Sequence, residues 1–319
     1  MSNPNGTGTI WNLPNYAGEL FTADATTTPF LSMIGGLSGG KRTTNFEFPC
    51  SVEFAQPTAA QPAITETASE TAPEATALER TQTKNVCQIF QETIALTYAK
   101  MSNAGRLSGI NTAGASNSVS NEKDWQIQQR LIKIARDVEY SFLNGKYQIA
   151  TSAGVANKTR GMIELCSGGN TIAAADAGLT KAMLDNLFLE MAKNGALFRN
   201  MVLYCNAYQK QQITNAFNGQ TGFALPATRN VGGMNIQEFE TDFCKVGVVY
   251  DRFMPVDTIL VADLSVCSPV FQEVPGKGIL FEEALAKTGA ADKVQIYGQI
   301  GLDHGPAFAH GTITGLKNA

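Results

Sequence analysis

One run in the sequence has the residue types of an activated nucleophile. Gly36-Leu37-Ser38-Gly39-Gly40 matches G-x-S-x-G, and Asp263 with His304 or His310 follows in the chain order of an α/β-hydrolase triad. That chemistry needs a strand before the serine and a helix after it, so that a strained turn exposes the hydroxyl. Here the downstream residues 46–54 are patterned as a strand, and Pro29 interrupts the upstream segment. A five-residue match is also easily met in a chain with 30 glycines. The segment therefore reads as a flexible turn into a strand, with a serine hydrolase using Ser38 kept as the alternative function. The same residues nearly spell a phosphate loop, Gly35, four residues, then Gly40-Lys41, but Arg42 stands where the Mg²⁺-binding Ser or Thr belongs. Gly276-Lys277-Gly278 reads as a turn between β segments.

Asp303, His304 and His310 have metal-ligand chemistry, but the Gly305-Pro306 break keeps the two histidines off a common helical face. The six cysteines, Cys50, Cys87, Cys166, Cys205, Cys244 and Cys267, form no C-x-x-C pair and read as small buried thiols. The carboxylates are dispersed, and no two are identifiable as a general acid and base. The expectation is no catalytic residue, no cofactor-binding residue and no metal ligand.

Composition turns attention from chemistry to surfaces. The 319 residues are enough for about two domains, and 44% hydrophobic content with a net charge of −4 excludes a disordered chain. Charged residues make up only 16%, against ~25% in typical soluble proteins, and a surface this short of charge needs an explanation that composition alone does not supply. With 24 basic and 28 acidic residues there is no positive field to hold free nucleic acid. No run approaches the ~18 apolar residues of a membrane span, and the polar start lacks the pattern of a secretion signal. The chain reads as cytoplasmic or released by lysis.

The elements that must position these residues follow from periodicity. Residues 1–40 show no sustained period and read as an arm that lies on something. Phe46, Phe48, Cys50, Val52 and Phe54 alternate as one face of a strand, and Pro49 on the opposite parity marks it as an edge strand. Val86, Phe90, Ile94, Leu96 and Tyr98 form a second period-two run, with Gln88 and Glu92 as polar exceptions. The two runs predict a long hairpin with arms of about 12 residues spanning roughly 40 Å. Between them, residues 55–78 are rich in Ala, Thr, Pro and Glu, with no basic and no aromatic residue. An isolated hairpin is marginal in water, so its partner is expected elsewhere, on another chain or on its own domain.

Residues 103–120 form a Gly/Ser/Asn-rich linker, after which Asn121 and Asp124 resemble a capping box. Ile127, Leu131, Ile134, Ala135, Val138 and Phe142 then recur at helical steps, opposite Arg130, Lys133, Arg136 and Asp137, with Gly145 as a left-handed stop. A second amphipathic helix runs over 180–194 with Leu184, Leu187, Phe188 and Met191 on one face and Gly195 as its stop. Residues 201–205 read as a strand, and Asn206 with Gln209 as the capping box of the next helix. Beyond Ile236 the chain is mostly β, with strands predicted over 239–250, 258–264, 294–300 and 307–314. The fold class is α+β.

This order of elements resembles tailed-bacteriophage major capsid proteins of the Hong Kong 97 type (the HK97-like fold), in the branch that includes the capsid protein of phage SU-10. The resemblance spans about residues 15–316. Its local runs are Asn15-Tyr16-Ala17-Gly18-Glu19-Leu20-Phe21-Thr22, Thr28-Pro29-Phe30-Leu31, Glu139-Tyr140 to Leu143-Asn144-Gly145, and Arg160-Gly161-Met162. Asp251-Arg252-Phe253-Met254-Pro255-Val256-Asp257 and Tyr297-Gly298-Gln299-Ile300-Gly301-Leu302 complete the set.

The resemblance implies an N-terminal arm over 1–40 and an extended loop, the long β-hairpin, over 41–100 that lies on a neighbouring subunit. It implies a peripheral domain over 101–195 with a spine helix over 121–147, an axial domain over about 196–260, and a return to the peripheral domain over 261–319. The implied function is a self-assembling shell of hexamers and pentamers that encloses double-stranded DNA without binding it specifically, in the virion, after assembly in the bacterial host cytoplasm. Implied partners are other copies of the chain, a portal, decoration proteins and a separate scaffolding protein, since no charged coiled-coil extension precedes the arm. Some relatives crosslink a loop lysine to the next subunit; residues 55–78 contain no lysine, so non-covalent contacts are expected. A tail or decoration protein is the other structural alternative.

Overall fold

The computed structural model describes residues 27–99, 122–217, 227–231, 234–287 and 289–318. Most of the arm, the linker over 103–120 and the Asn121 cap lie outside the described residues.

The chain enters through a short helix α1 (Pro29–Ile34), and strand β1 (Lys41–Thr43) joins the body. Strands β2 (Glu47–Phe54) and β3 (Arg80–Val86) pair as a two-stranded antiparallel ribbon, with a one-turn helix α2 (Glu66–Ser69) in the connection. The partner of β2 is thus not the second apolar run. That run is β4 (Gln88–Thr97), which pairs in the body with β13 (Ala291–Asp303). The reason is burial. Phe90, Ile94 and Leu96 of β4 face the core, whereas β3 reads Arg-Thr-Gln-Thr-Lys-Asn-Val and is apolar only at its root. The ribbon strands have 8 and 7 residues, so the hairpin reaches roughly 25 Å at ~3.3 Å per residue, shorter than the periodicity implied. At Pro49, which cannot donate to a ladder, the register slips before Ser51.

The long helix α3 (Glu122–Asn144) buries Ile134, Val138 and Phe142 as its spacing requires. On its other side Arg130 and Lys133 meet Glu92, the polar exception in β4. Gly145 does not stop α3 by a left-handed turn. Its backbone is needed for closeness: a Cβ there would stand 2.3 Å from the Ser141 carbonyl oxygen and 2.5 Å from that of Thr159. Gly161 is its counterpart, donating its N–H to the Gly145 carbonyl at 3.0 Å just before helix α4 (Met162–Cys166).

Two mixed sheets flank these helices. The five-stranded sheet runs in the order β1, β11 (Ser268–Gln272), β13, β12 (Leu280–Ala284), with β4 also on β13. The seven-stranded sheet has the order β5 (Asn170–Ala173), β14 (Gly311–Thr314), β10 (Ile259–Asp263), β6 (Met201–Cys205), β9 (Lys245–Tyr250), β8 (Met234–Glu240), β7 (Ala227–Val231). Strands β6 and β10 are buried throughout because both faces are covered, and every position but Asp263 at the end of β10 is apolar. Val202, Tyr204, Leu260 and Ala262 face α3 and the five-stranded sheet. Met201, Leu203, Cys205, Ile259 and Val261 face helix α5 (Lys181–Lys193), whose Leu184, Leu187, Phe188 and Met191 are fully buried. Helix α5 starts at Thr180, which accepts the Met183 N–H, and ends at Gly195 with φ +91°.

Three further expectations change. Helix α6 (Ala207–Phe217) begins at Asn206, whose side chain accepts the Tyr208 N–H, but Gln209 does not close a capping box. Gln209 donates instead to the carbonyls of Val256 and Lys317, fixing the chain's end. The single strand expected over 239–250 is split by a turn in which the Thr241 hydroxyl bonds both the N–H and the carbonyl of Cys244. Residues Ala307–Ala309 form a 3₁₀ turn rather than strand, and β11 and β12 escaped the pattern because each is a short strand without strict alternation.

Candidate functional site

The residues that could have formed a triad are engaged separately. Ser38 is exposed in the turn after α1, and strand β1 follows where a hydrolase has a helix. Asp263 and His310 do meet, but through the backbone: the Asp263 N–H donates to His310 Nδ1 at 3.2 Å. His310 Nε2 lies 2.7 Å from the His304 carbonyl oxygen, so both ring nitrogens are occupied and the ring is a neutral, Nε2-protonated imidazole. Burial pushes its pKa down to about 4. The Asp263 carboxylate accepts the N–H groups of Arg199, Asn200 and Ser265. Burial opposes its ionisation, but these donors prevail and hold the acid below its ordinary value.

The phosphate-loop look-alike is equally structural. Gly35, Gly36 and Gly40 have φ of +128°, +68° and +145°, and a Cβ on Gly40 would lie 2.3 Å from the Pro269 carbonyl oxygen. Lys41 pairs with the buried carboxylate of Asp303. Gly276 and Gly278 close a turn in which Val274 and Gly278 bridge. Among the described residues no group of three or more His, Cys, Asp or Glu side chains is placed to hold a metal. All six thiols are free, and burial pushes Cys50, Cys87, Cys166 and Cys205 up to about 12.

What stands out is the ribbon β2/β3. Residues 55–79 are exposed throughout, and the ribbon carries Val52 and Phe54 at 58% and 52% exposure. An unaccompanied two-stranded ribbon is marginal, so its direction has to come from its root. There Phe48, Cys87 and Val270 form a small apolar cluster. Asn85, fully buried, satisfies its whole amide: Nδ2 donates to the carbonyls of Leu302 (2.7 Å) and Arg160 (3.3 Å), and Oδ1 accepts the N–H groups of Val86 (2.9 Å) and Arg160 (2.8 Å). Gly301 lets the ring of Phe48 sit on the β13 backbone, since a Cβ there would come within 2.8 Å of it. Periodicity does not reveal Asn85, because a single polar residue in a polar strand carries no signal, and Gly301 is legible only as part of the run Tyr297-Gly298-Gln299-Ile300-Gly301-Leu302.

The comparisons with known proteins agree with this architecture. The model of the SU10 major capsid protein family matches residues 3–317. No curated protein matches the chain. Among solved structures, the cyanophage A-1(L) capsid asymmetric unit is similar over 96% of this chain and 97% of that one, with TM-score 0.63 and 10% identity. The capsid of an empty GTA particle covers 98% of this chain and 99% of its own at TM-score 0.55 and 13% identity. The SrpI encapsulin of Synechococcus elongatus PCC 7942, in its holo complex, covers 93% of each chain at TM-score 0.57 and 11% identity. At these identities the structures establish the shared fold, the HK97-like one expected above. The family match covers nearly the whole chain, and the chain belongs to the SU10 major capsid protein family.

Proposed function

We propose that this structural capsid protein builds an icosahedral phage head from hexamers and pentamers, each subunit laying its β2/β3 ribbon and residues 55–79 across a neighbour. The observation that carries the reading is the ribbon itself, rooted by Asn85 yet exposing Val52 and Phe54. Covering such edges and side chains by another copy gives a heterologous contact, which closes rings and also propagates. Specific interfaces typically bury about 1,200–2,000 Å², and many of them per subunit add up by multivalency.

In this reading residues 1–40 are the arm, the ribbon is the projecting part of the extended loop over 41–100, and α3 is the spine of the peripheral domain. The axial domain over about 196–260 extends to β5, α5, β10 and β14, because these pack in or on the same seven-stranded sheet. The shell is non-covalent, encloses double-stranded DNA without specific contacts, catalyses nothing, and is assembled in the host cytoplasm with a separate scaffold, a portal and decoration proteins.

The test replaces residues 55–78 by a two-residue Asn-Gly turn. The reading expects a folded subunit by circular dichroism that fails to form shells by electron microscopy. Normal shells from this deletion would show that the loop is not an interface.

A further inference from the structure

The buried side of α3 holds two carboxyl groups that face each other. Glu139 is fully buried, and its Oε1 and Oε2 accept the backbone N–H groups of Phe30 and Leu31, each at 2.7 Å. Thr28, at the start of α1, makes no side-chain cap hydrogen bond, so Glu139 caps this helix from another element. Opposite Glu139 stands Asp251, 1% exposed, just after β9 and within hydrogen-bonding reach of it. Asp251 Oδ1 accepts the Phe253 N–H at 2.8 Å, while the buried Oδ2 receives no N–H or hydroxyl.

Among the described residues no ion pair joins a cation to either carboxyl group. Helix α1 brings no ionisable side chain. Arg136, one turn earlier on α3, lies over the ring of Phe253. From β6 the Cys205 thiol donates to the Val249 carbonyl, and Lys210 of α6 bears on that thiol. Glu164 of α4 accepts the Tyr147 N–H, and Glu92 of β4 is held by Arg130 and Lys133. Two bare carboxylates in such a place repel, whereas one proton removes a charge and gives Asp251 Oδ2 the donor it lacks.

We propose that Glu139 carries a proton that it donates to Asp251, and that this shared proton is the clasp holding α1 to the spine helix. When the proton leaves for solvent, two like charges face each other and α1 lifts from α3, exposing the N–H groups of Phe30 and Leu31. Burial, then the charge of Asp251, raises the acid of Glu139 well above its ordinary value, against the two N–H groups it accepts. The closed state therefore binds a proton that the open state releases, and closure weakens as pH rises. The clasp is a property of the single subunit, so its failure leaves the assembly reading untouched.

Amide hydrogen exchange of the purified full-length chain tests this, followed for residues 28–34 from about pH 5 to about pH 9 after correction for intrinsic exchange, with α5 as reference. Release of one proton lowers the protection of 28–34 by up to about tenfold per pH unit, relative to α5. In Glu139→Gln the side chain cannot ionise, its amide nitrogen donating to Asp251 while only its oxygen still accepts from α1, and in Asp251→Asn the opposing charge is gone. Glu139→Gln is expected to remove the dependence and Asp251→Asn to reduce it, since burial still raises Glu139 there, and the second serves if the first does not fold. Protection in the wild type that does not change with pH relative to α5, a slope that survives in folded Glu139→Gln, or one undiminished in Asp251→Asn, would overturn the proposal.

Discussion

Asn85 Nδ2 donates to the Leu302 carbonyl at 2.7 Å, and this bond ties the root of the projecting ribbon to the end of the longest strand of the body. The strand β13 also pairs with β4, β11 and β12, so the ribbon is oriented from the most connected strand of the five-stranded sheet. A subunit that reaches across a neighbour needs such a fixed direction, because an arm free to swing gives up its ordering entropy on every contact.

Asn85→Ala leaves the Arg160 N–H and the Leu302 carbonyl without their partner in a buried place. The expected loss is about 2–4 kcal/mol in denaturant unfolding. Asn85→Asp is not expected to restore it, since a carboxylate cannot donate to either carbonyl.

Gly161→Ala forces a methyl group to 2.5 Å from the Gly145 nitrogen and 2.8 Å from the Leu143 carbonyl oxygen. Backbone atoms cannot step aside as side chains can, so a loss of at least about 2 kcal/mol is expected. Gly154→Ala, with nothing within 4 Å of the added carbon, is the control, and its change is expected within about 0.5 kcal/mol.

His310 supplies a pH dependence of defined sign. Its folded pKa of about 4 lies below the ordinary 6.5, so the unfolded chain binds the extra proton between these values. Stability is full above about pH 6.5 and falls as pH is lowered toward about 4, by up to about 3 kcal/mol. Glu139 acts in the opposite sense, losing stability as pH rises, so the two partly cancel in the wild type. In Glu139→Gln the fall toward low pH, to which His304, also held below its ordinary value by burial, adds in the same sense, is expected to steepen in denaturation midpoints measured across this range.

Val52→Asp with Phe54→Asp separates assembly from folding. Both side chains are exposed in the subunit, so the unfolding free energy is expected to change by less than about 0.5 kcal/mol per site. Shell yield is expected to collapse, because each particle repeats the defect at every copy of the contact.

The sequence made the repeating parts of the fold legible. Leu184, Leu187, Phe188 and Met191 announced α5, and Phe142 with Val138 and Ile134 the buried face of α3, because burial on one face imposes a period. Strand β3 was missed since both of its faces are solvated and it imposes none. The tie at Asn85 and the pair of Glu139 with Asp251 are contacts between distant segments, and no period reports them. Glu139 sits among the apolar positions of α3, so an acid beside Val138 on a buried face was the only local sign of the clasp. Several runs that carried the family resemblance prove to be such places: Gly145 and Gly161 at their close crossing, Gly301 under Phe48, and Asp251 against Glu139.

The most direct test of the capsid account is a cryo-electron microscopy map of particles assembled by the expressed chain with its scaffold. The account predicts closed icosahedral shells in which β2, β3 and residues 55–79 lie on an adjacent subunit, with Val52 and Phe54 covered. Tubes, isolated trimers or monomers, or shells in which the ribbon folds back on its own subunit, would contradict it.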